Sequence, residues 1–223
     1  MASMEGLRLK INKYFRIKFA SKRSIELKNR DFTIISNNCW GGMIYESYNL
    51  KKNTPTVGLF FLADDYIKFV SNIKDYVKQD LLFIKKEQSK NKEYFKNDVK
   101  FGTYPIGKLG DIEIYFLHYK SEDEALKKWN RRLKRINYNN IILKFNDQNG
   151  CTLDNVNDFF SLPYKNKLFF TVKKWNIKYK YYKYFQIINK KYIYSSREPF
   201  GKSKKIDITK YLNSIKKDKD YEK

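Results

Sequence analysis

Apolar residues recur every four positions at Leu7, Ile11, Phe15 and Phe19, with Tyr14 beside them. That spacing predicts a helix within residues 7–28. Arg8, Lys10, Lys13, Arg16, Lys18, Lys22, Arg23 and Lys28 surround the stripe. A helical apolar stripe usually faces a core, so packing on the rest of the domain is the expected role. The other role open to a basic amphipathic helix is to lie on an anionic membrane surface.

Beyond it the pattern changes to apolar runs of strand length, each followed by a turn and a helical period. Residues 31–36 read as a strand, residues 37–42 as a turn, and residues 43–50 as a helix. A second strand is expected over 56–61. Asp64 and Asp65 then open a helix whose apolar face carries Tyr66, Phe69, Val70, Ile73 and Val77, both acids suiting the positive end of its dipole. Residues 85–100 are mostly polar, and Gly102, Pro105, Gly107 and Gly110 mark a loop before a strand over 111–119. Ser121 and Glu124 form a capping box ahead of a helix with Leu126, Trp129, Leu133 and Ile136 on one face. Strands over 140–146 and 167–172 flank a short acidic helix near 154–160.

Strands alternating with helices predict an α/β fold: a mainly parallel sheet with flanking helices, Rossmann-like and three-layered. The expected organisation is a basic amphipathic N-terminal helix over residues 1–30, an α/β core over 31–175, and a basic, Tyr-rich C-terminal extension over 176–223 packed on the core. Between Lys165 and Lys205 there are 13 basic residues and one acid, interleaved with tyrosines. A hairpin around Asn189 and Lys190 is a further possibility.

Composition sharpens the partner more than the fold. With 47 Lys and Arg against 24 Asp and Glu, the net charge of +23 calls for an anionic partner. An aromatic content of 17% argues against disorder. Two distant cysteines and one histidine supply too few ligands for a structural zinc, so no metal site is expected. No signal peptide and no apolar run of membrane-spanning length is visible, which predicts a cytoplasmic protein, peripheral at the inner face of the membrane if its basic helix docks there.

In parallel sheets, ligands bind beyond the carboxyl ends of the strands. The residues expected there are Asn37, Asn38, Cys39, Trp40, Gly41 and Gly42, then Asp64 and Asp65, His118 to Lys120, and Asp147 to Cys151. The glycine turn leads into a helix start, where free N–H groups attract anions; the alternative is a tight turn with Trp40 in the core. It carries neither a dinucleotide fingerprint nor a Walker lysine, so no cofactor is assigned. His118 has the titration range of a general base, Asp147 is a candidate second catalytic group, and Asp65 is a ligand or a helix cap. Cys39 is a weaker nucleophile candidate than a small buried thiol. Arg131 and Arg132 could grip a phosphate in bidentate fashion, or line a solvated helix face.

Residues 34–42, 54–61, 104–107, 118–119, 128–132 and 144–145 occur in an order that resembles a bacterial family described as exopolysaccharide or capsular polysaccharide biosynthesis proteins. The likeness covers roughly residues 30–175. It implies an α/β fold and a role in surface polysaccharide assembly as a glycosyl or related group transferase; with the basic charge, the leading expectation is an anionic donor such as a sugar nucleotide and a lipid-linked saccharide acceptor. It implies no assigned catalytic residue. The alternatives are a non-enzymatic nucleic-acid-binding protein, in which the Lys- and Tyr-rich tail stacks bases, and a scaffold of a polysaccharide assembly complex.

Overall fold

The computed structural model describes residues 4–187 and 190–216. In chain order the elements are α1 (Met4–Lys18), α2 (Ala20–Glu26), β1 (Thr33–Ser36), α3 (Trp40–Ser47), α4 (Ala63–Ser71), α5 (Ile73–Tyr76) and β2 (Leu82–Ile84). There follow β3 (Ile106–Leu109), β4 (Ile112–Tyr115), α6 (Glu122–Leu133), β5 (Ile141–Asn146), α7 (Leu153–Ser161), β6 (Asn166–Thr171), β7 (Tyr182–Tyr184) and α8 (Ile208–Asn213). Strands β1, β5, β6 and β7 form one sheet in that order, parallel throughout. The α/β architecture with a parallel sheet and flanking helices is the expected one.

Period-2 alternation divides the central strands between two cores. Ile35, Leu143, Phe145 and Phe169 face one layer, packed against Tyr66 and Phe69 of α4, Trp129 of α6 and Phe159 of α7. Ile34, Ile142, Leu168 and Phe170 face the other, against Trp40, Ile44 and Tyr45 of α3 and Ile208 and Leu212 of α8. Helices therefore cover both faces. Ser121 caps α6 as its sequence suggests, its hydroxyl accepting from Glu124 N at 3.2 Å.

Three expectations change. The loop-and-strand reading of residues 102–119 resolves into an antiparallel β3–β4 hairpin, with β2 on its other side. Asp111 lies in its two-residue turn, where Gly110 takes φ +61, the left-handed conformation such turns favour. Gly107, read as a loop glycine, sits inside β3, because a Cβ there would meet Leu81 and Phe116 at 2.7 Å. Residues 56–61 bend at Val57 and Gly58, where Gly58 takes φ +73, and form one bridge, Phe60 with Tyr115. On their other side Thr56 Oγ1 accepts from Ser36 N at 3.2 Å and Phe61 N donates to Asn37 O at 3.0 Å. The segment thus joins the two sheets, a threonine hydroxyl standing in for part of a backbone ladder.

The N-terminal stripe is the third. Leu7, Ile11, Phe15 and Phe19 are all exposed. α1 docks instead through its polar side: Asn12 Nδ2 donates to Ser196 O at 2.6 Å, Arg16 pairs with Glu46 at 3.0 Å, and Glu5 accepts from the Ser196 hydroxyl. Between α2 and α3, Arg23 donates to Ser47 O at 2.9 Å. Polar anchors on one side of the helix leave the apolar side outward. The proposed hairpin at Asn189 lies outside the described residues.

Candidate functional site

β5 reads Ile-Ile-Leu-Lys-Phe-Asn, and its even positions face α3 and the tail. Lys144 therefore enters a buried face where an apolar residue is the rule. Its ammonium lies 5.9 and 5.7 Å from the ring centroids of Trp40 and Phe170, which pack edge to face on each other. The ammonium donates to Asn38 Oδ1 at 3.0 Å and pairs with the Glu198 carboxylate, and both ion-pair side chains are wholly enclosed. Burial pulls Lys144 below the ordinary lysine range, an effect that Glu198 opposes.

Amides complete the cluster at the carboxyl ends of β1 and β5. Asn146 Nδ2 donates to Glu198 at 2.8 Å and to Gln148 at 3.0 Å; Asn38 Nδ2 donates to Glu198 at 3.0 Å. Asn37 Nδ2 donates to Asn146 Oδ1 at 2.8 Å, while Asn37 Oδ1 is buried with no donor among the described residues.

The glycine turn is the scaffold of this cluster. α3 begins at Trp40, earlier than the expected start at Met43. Its first N–H groups are taken from within: Trp40 N by Asn38 Oδ1 at 3.1 Å, and Gly41 N by Ser36 Oγ at 3.1 Å. These bonds occupy donors that a phosphate would use. Both glycines serve close packing, since a Cβ on Gly41 would meet Ser36 Oγ at 2.9 Å and one on Gly42 would meet Val57 Cγ1 at 2.9 Å. The Trp40 indole donates to Pro199 O at 2.8 Å and so holds the tail over the sheet edge. Burial pushes the Cys39 thiol up to about 12, far from the thiolate a nucleophile needs.

The remaining candidates are distributed around this centre. Asp147 takes three bonds, from Thr171 Oγ1, Val172 N and Ile193 N, each at 2.7 Å, which tie the end of β6 to the tail. His118 follows β4 outside the parallel sheet; its backbone N–H donates to Gly58 O at 3.0 Å, its side chain is exposed, and partial burial lowers its pKa. Asp65 accepts from Lys90 Nζ at 2.6 Å and from Glu113 N at 3.0 Å, with burial raising its pKa against those bonds. Arg132 is buried and donates to the Tyr119 hydroxyl at 2.6 Å, whereas Arg131 is exposed. The structure thus gathers Asn37, Asn38 and the residues flanking Asp147, but leaves His118, Asp65, Arg131 and Arg132 outside the cluster.

A cavity of about 370 to 470 Å³ opens at several places, and one of 420 Å³ has Glu198 in its wall. Arg23, Arg197, Lys202, Lys204 and Lys205 line that same cavity, as does Asn12 of α1. Arg197 is 3.6 Å from Glu5, while Lys202, Lys204 and Lys205 are exposed and have no carboxylate partner among the described residues. Such a surface carries the charge that attracts anions. Among the described residues, no group of three or more His, Cys, Asp or Glu side chains is placed to hold a metal ion.

Sequence reasoning missed Lys144, Asn146, Gln148 and Glu198 as a unit. Two signals pointed to it: a lysine in the middle of an apolar strand, and the one acid between Lys165 and Lys205.

The family model for a domain of unknown function, DUF1919, matches residues 10–213, which takes in most of the C-terminal extension. An uncharacterized protein of Haemophilus influenzae is 34% identical over 175 residues, covering 78% of this chain and 77% of the relative.

Proposed function

We propose that this chain, which belongs to the DUF1919 family, transfers a glycosyl or related group from an anionic donor, such as a sugar nucleotide, in the assembly of bacterial exopolysaccharide or capsular polysaccharide. The observation that carries this reading is the 420 Å³ cavity, where exposed lysines without carboxylate partners stand beside the segment that bears Glu198, whose enclosed carboxylate joins the amide cluster at the carboxyl ends of β1 and β5. A diphosphate fits the lysines, and the enclosed amides and carboxylate would meet a sugar hydroxyl once the segment over them moves. In the transfer, the acceptor oxygen bonds to the anomeric carbon as the bond from that carbon to the phosphate oxygen breaks. Glu198 takes the hydroxyl proton, and Lys202, Lys204 and Lys205 offset the charge of the departing diphosphate. Because the Glu198 side chain is enclosed, this role requires the segment around Pro199 to shift away from Trp40 on substrate entry. Asp147 acts in this scheme as the anchor of the tail, and His118, which is not in the cavity wall, takes no step.

No helix of the described residues is long and apolar enough to cross a membrane. The reading places the protein on the cytoplasmic side, where sugar nucleotides are available, acting on a lipid-linked saccharide. Calorimetric titration with a panel of sugar nucleotides tests it. Binding by the native chain, lost in Lys204→Glu/Lys205→Glu with unchanged melting, supports the proposal. No heat with any donor overturns it, and steeply salt-dependent binding of oligonucleotides in its place would favour the nucleic-acid alternative. Against that alternative, the tail rings already pack on partners of their own: Tyr182 stacks on Phe169, Tyr181 meets Tyr211 edge-on, and Tyr179 lies tilted against Phe160.

A further inference from the structure

We infer that α1 is a membrane-docking helix that lies in the interface of an anionic lipid surface. The helix is mounted with its polar side toward the protein. Glu5, Asn12 and Arg16 fall on one side at helical spacing, and all three bond to Ser196, Arg197 or Glu46 of the body. At about 100° per residue, Tyr14, Leu7 and Ile11 fall on the opposite side, with Phe15 at its edge. Their exposures are 57%, 56%, 47% and 42%, and Met4 at 88% continues the same face. These side chains meet no core, although the helix itself is tied down through four side-chain contacts.

The charges choose the occupant. Lys10 borders the outward apolar arc on one flank, Arg8 borders it on the other, and Lys18 sits within it toward the helix end; all three are exposed. The Lys18 ammonium lies 5.4 Å from the Tyr14 ring centroid and 5.8 Å from that of Phe19, so the positive charge rests at the surface of the aromatic face itself. An apolar strip edged by cations matches acyl chains below and anionic headgroups beside them. A second copy of the same helix would bring these cations against one another, in a chain already at +23. A neutral apolar partner would leave them without counter-charges.

The placement has a consequence for the cavity beside Glu198. Asn12, on the inward side of α1, is part of that cavity's wall. A membrane under the outward side of α1 would therefore lie one helix diameter, about 10 Å, from the cavity. That is a suitable distance for a substrate with its lipid in the bilayer and its saccharide in solution. The docking itself does not depend on the transfer reaction, and its test needs no donor.

Co-sedimentation of the full chain with vesicles decides it. Phosphatidylcholine vesicles are compared with vesicles that also contain phosphatidylglycerol. Binding is expected only to the anionic vesicles, and it weakens as salt is raised. Leu7→Asp/Ile11→Asp, both exposed on the outward side, should lower the partition coefficient by at least about tenfold with no change in melting temperature. Lys10→Glu/Lys18→Glu should do the same. Failure of the native chain to bind anionic vesicles, or binding by the Asp variant equal to native, overturns the inference. So does a native dimer in solution that the Asp variant converts to monomer, since the face would then belong to a second copy. A native chain that binds a donor but not anionic vesicles would sink the docking helix alone; a native chain that binds anionic vesicles but no donor would sink the transfer reading alone.

Discussion

Lys144 and Glu198 are 54 positions apart in sequence and wholly enclosed together. Replacing one partner leaves the other charged in an apolar setting. Glu198→Ala should therefore cost about 3 to 5 kcal/mol of stability in urea unfolding. The paired change Lys144→Met/Glu198→Leu should recover most of that loss, because both charges leave together; a double variant as unstable as the single one would contradict the pairing. The thiols give a second residue-level test. Cys39 and Cys151 are both pushed up to about 12 by burial, against an ordinary value of 9.0. Above about pH 9 the unfolded chain loses these protons while the native chain keeps them. The unfolded state then binds fewer protons, so stability must fall as pH rises, by up to about 1.4 kcal/mol per pH unit for each thiol. In reductant, the decline in unfolding free energy between about pH 9 and about pH 10 should be shallower in Cys39→Ala/Cys151→Ala than in the native chain. At this scale the sequence was half legible. A charged residue in an apolar strand is visible by inspection, but which distant carboxylate meets it depends on how the tail returns to the sheet.

Elements were easier to read where one periodicity governs them. β1, β5, β6, α6 and α7 follow their apolar patterns closely, and α6 begins where Ser121 and Glu124 place it. The departures have local causes. Glycines at 102, 107 and 110 look alike in sequence, yet one is enclosed within a strand by Leu81 and Phe116 and another makes a hairpin turn. Residues 56–61 have strand composition but lie between two sheets, so their partners are a threonine side chain and single backbone groups. α1 has a correct helical period and the opposite facing, because the inward positions Asn12 and Arg16 are better matched to the polar surface they meet. The close approach of α3 to β1 is the element-level feature to test. Gly41→Ala and Gly42→Ala each place a methyl group 2.9 Å from a neighbouring side-chain atom. Each should lose about 1 to 3 kcal/mol by overpacking, with Gly41→Ala also disturbing the Ser36 hydroxyl that caps the helix start. Melting temperatures equal to native in both variants would show that the helix has room to move outward.

At the scale of the molecule, the C-terminal extension is structural. From residue 176 the chain is expected to form a basic extension packed on the core. Its apolar positions are built into the second core, where Ile193, Ile206, Ile208, Tyr211 and Leu212 are buried against α3 and the back of the sheet. Asp147 fixes Ile193 by a bond of 2.7 Å, Trp40 fixes Pro199 by one of 2.8 Å, and β7 extends the parallel sheet. The family match running to residue 213 agrees with a single unit, whereas the motifs legible in sequence stop near residue 175. Tails of this kind are opaque because a few apolar residues, spaced irregularly among lysines, show no helical or strand period until the sheet gives them a surface. Five such side chains, at about 1.5 to 3 kcal/mol each, amount to about 7 to 15 kcal/mol. That rivals the 5 to about 15 kcal/mol by which an ordinary domain is stable. A chain ending at Trp175 would also leave Lys144 buried without its carboxylate, or expose it by opening the core around Trp40 and Phe170. Such a truncation should therefore show no cooperative thermal transition and no near-ultraviolet dichroism from its tryptophans. A truncated chain that melts cooperatively near the native temperature would mean that the parallel sheet and one core suffice, and that the extension is a separable arm after all.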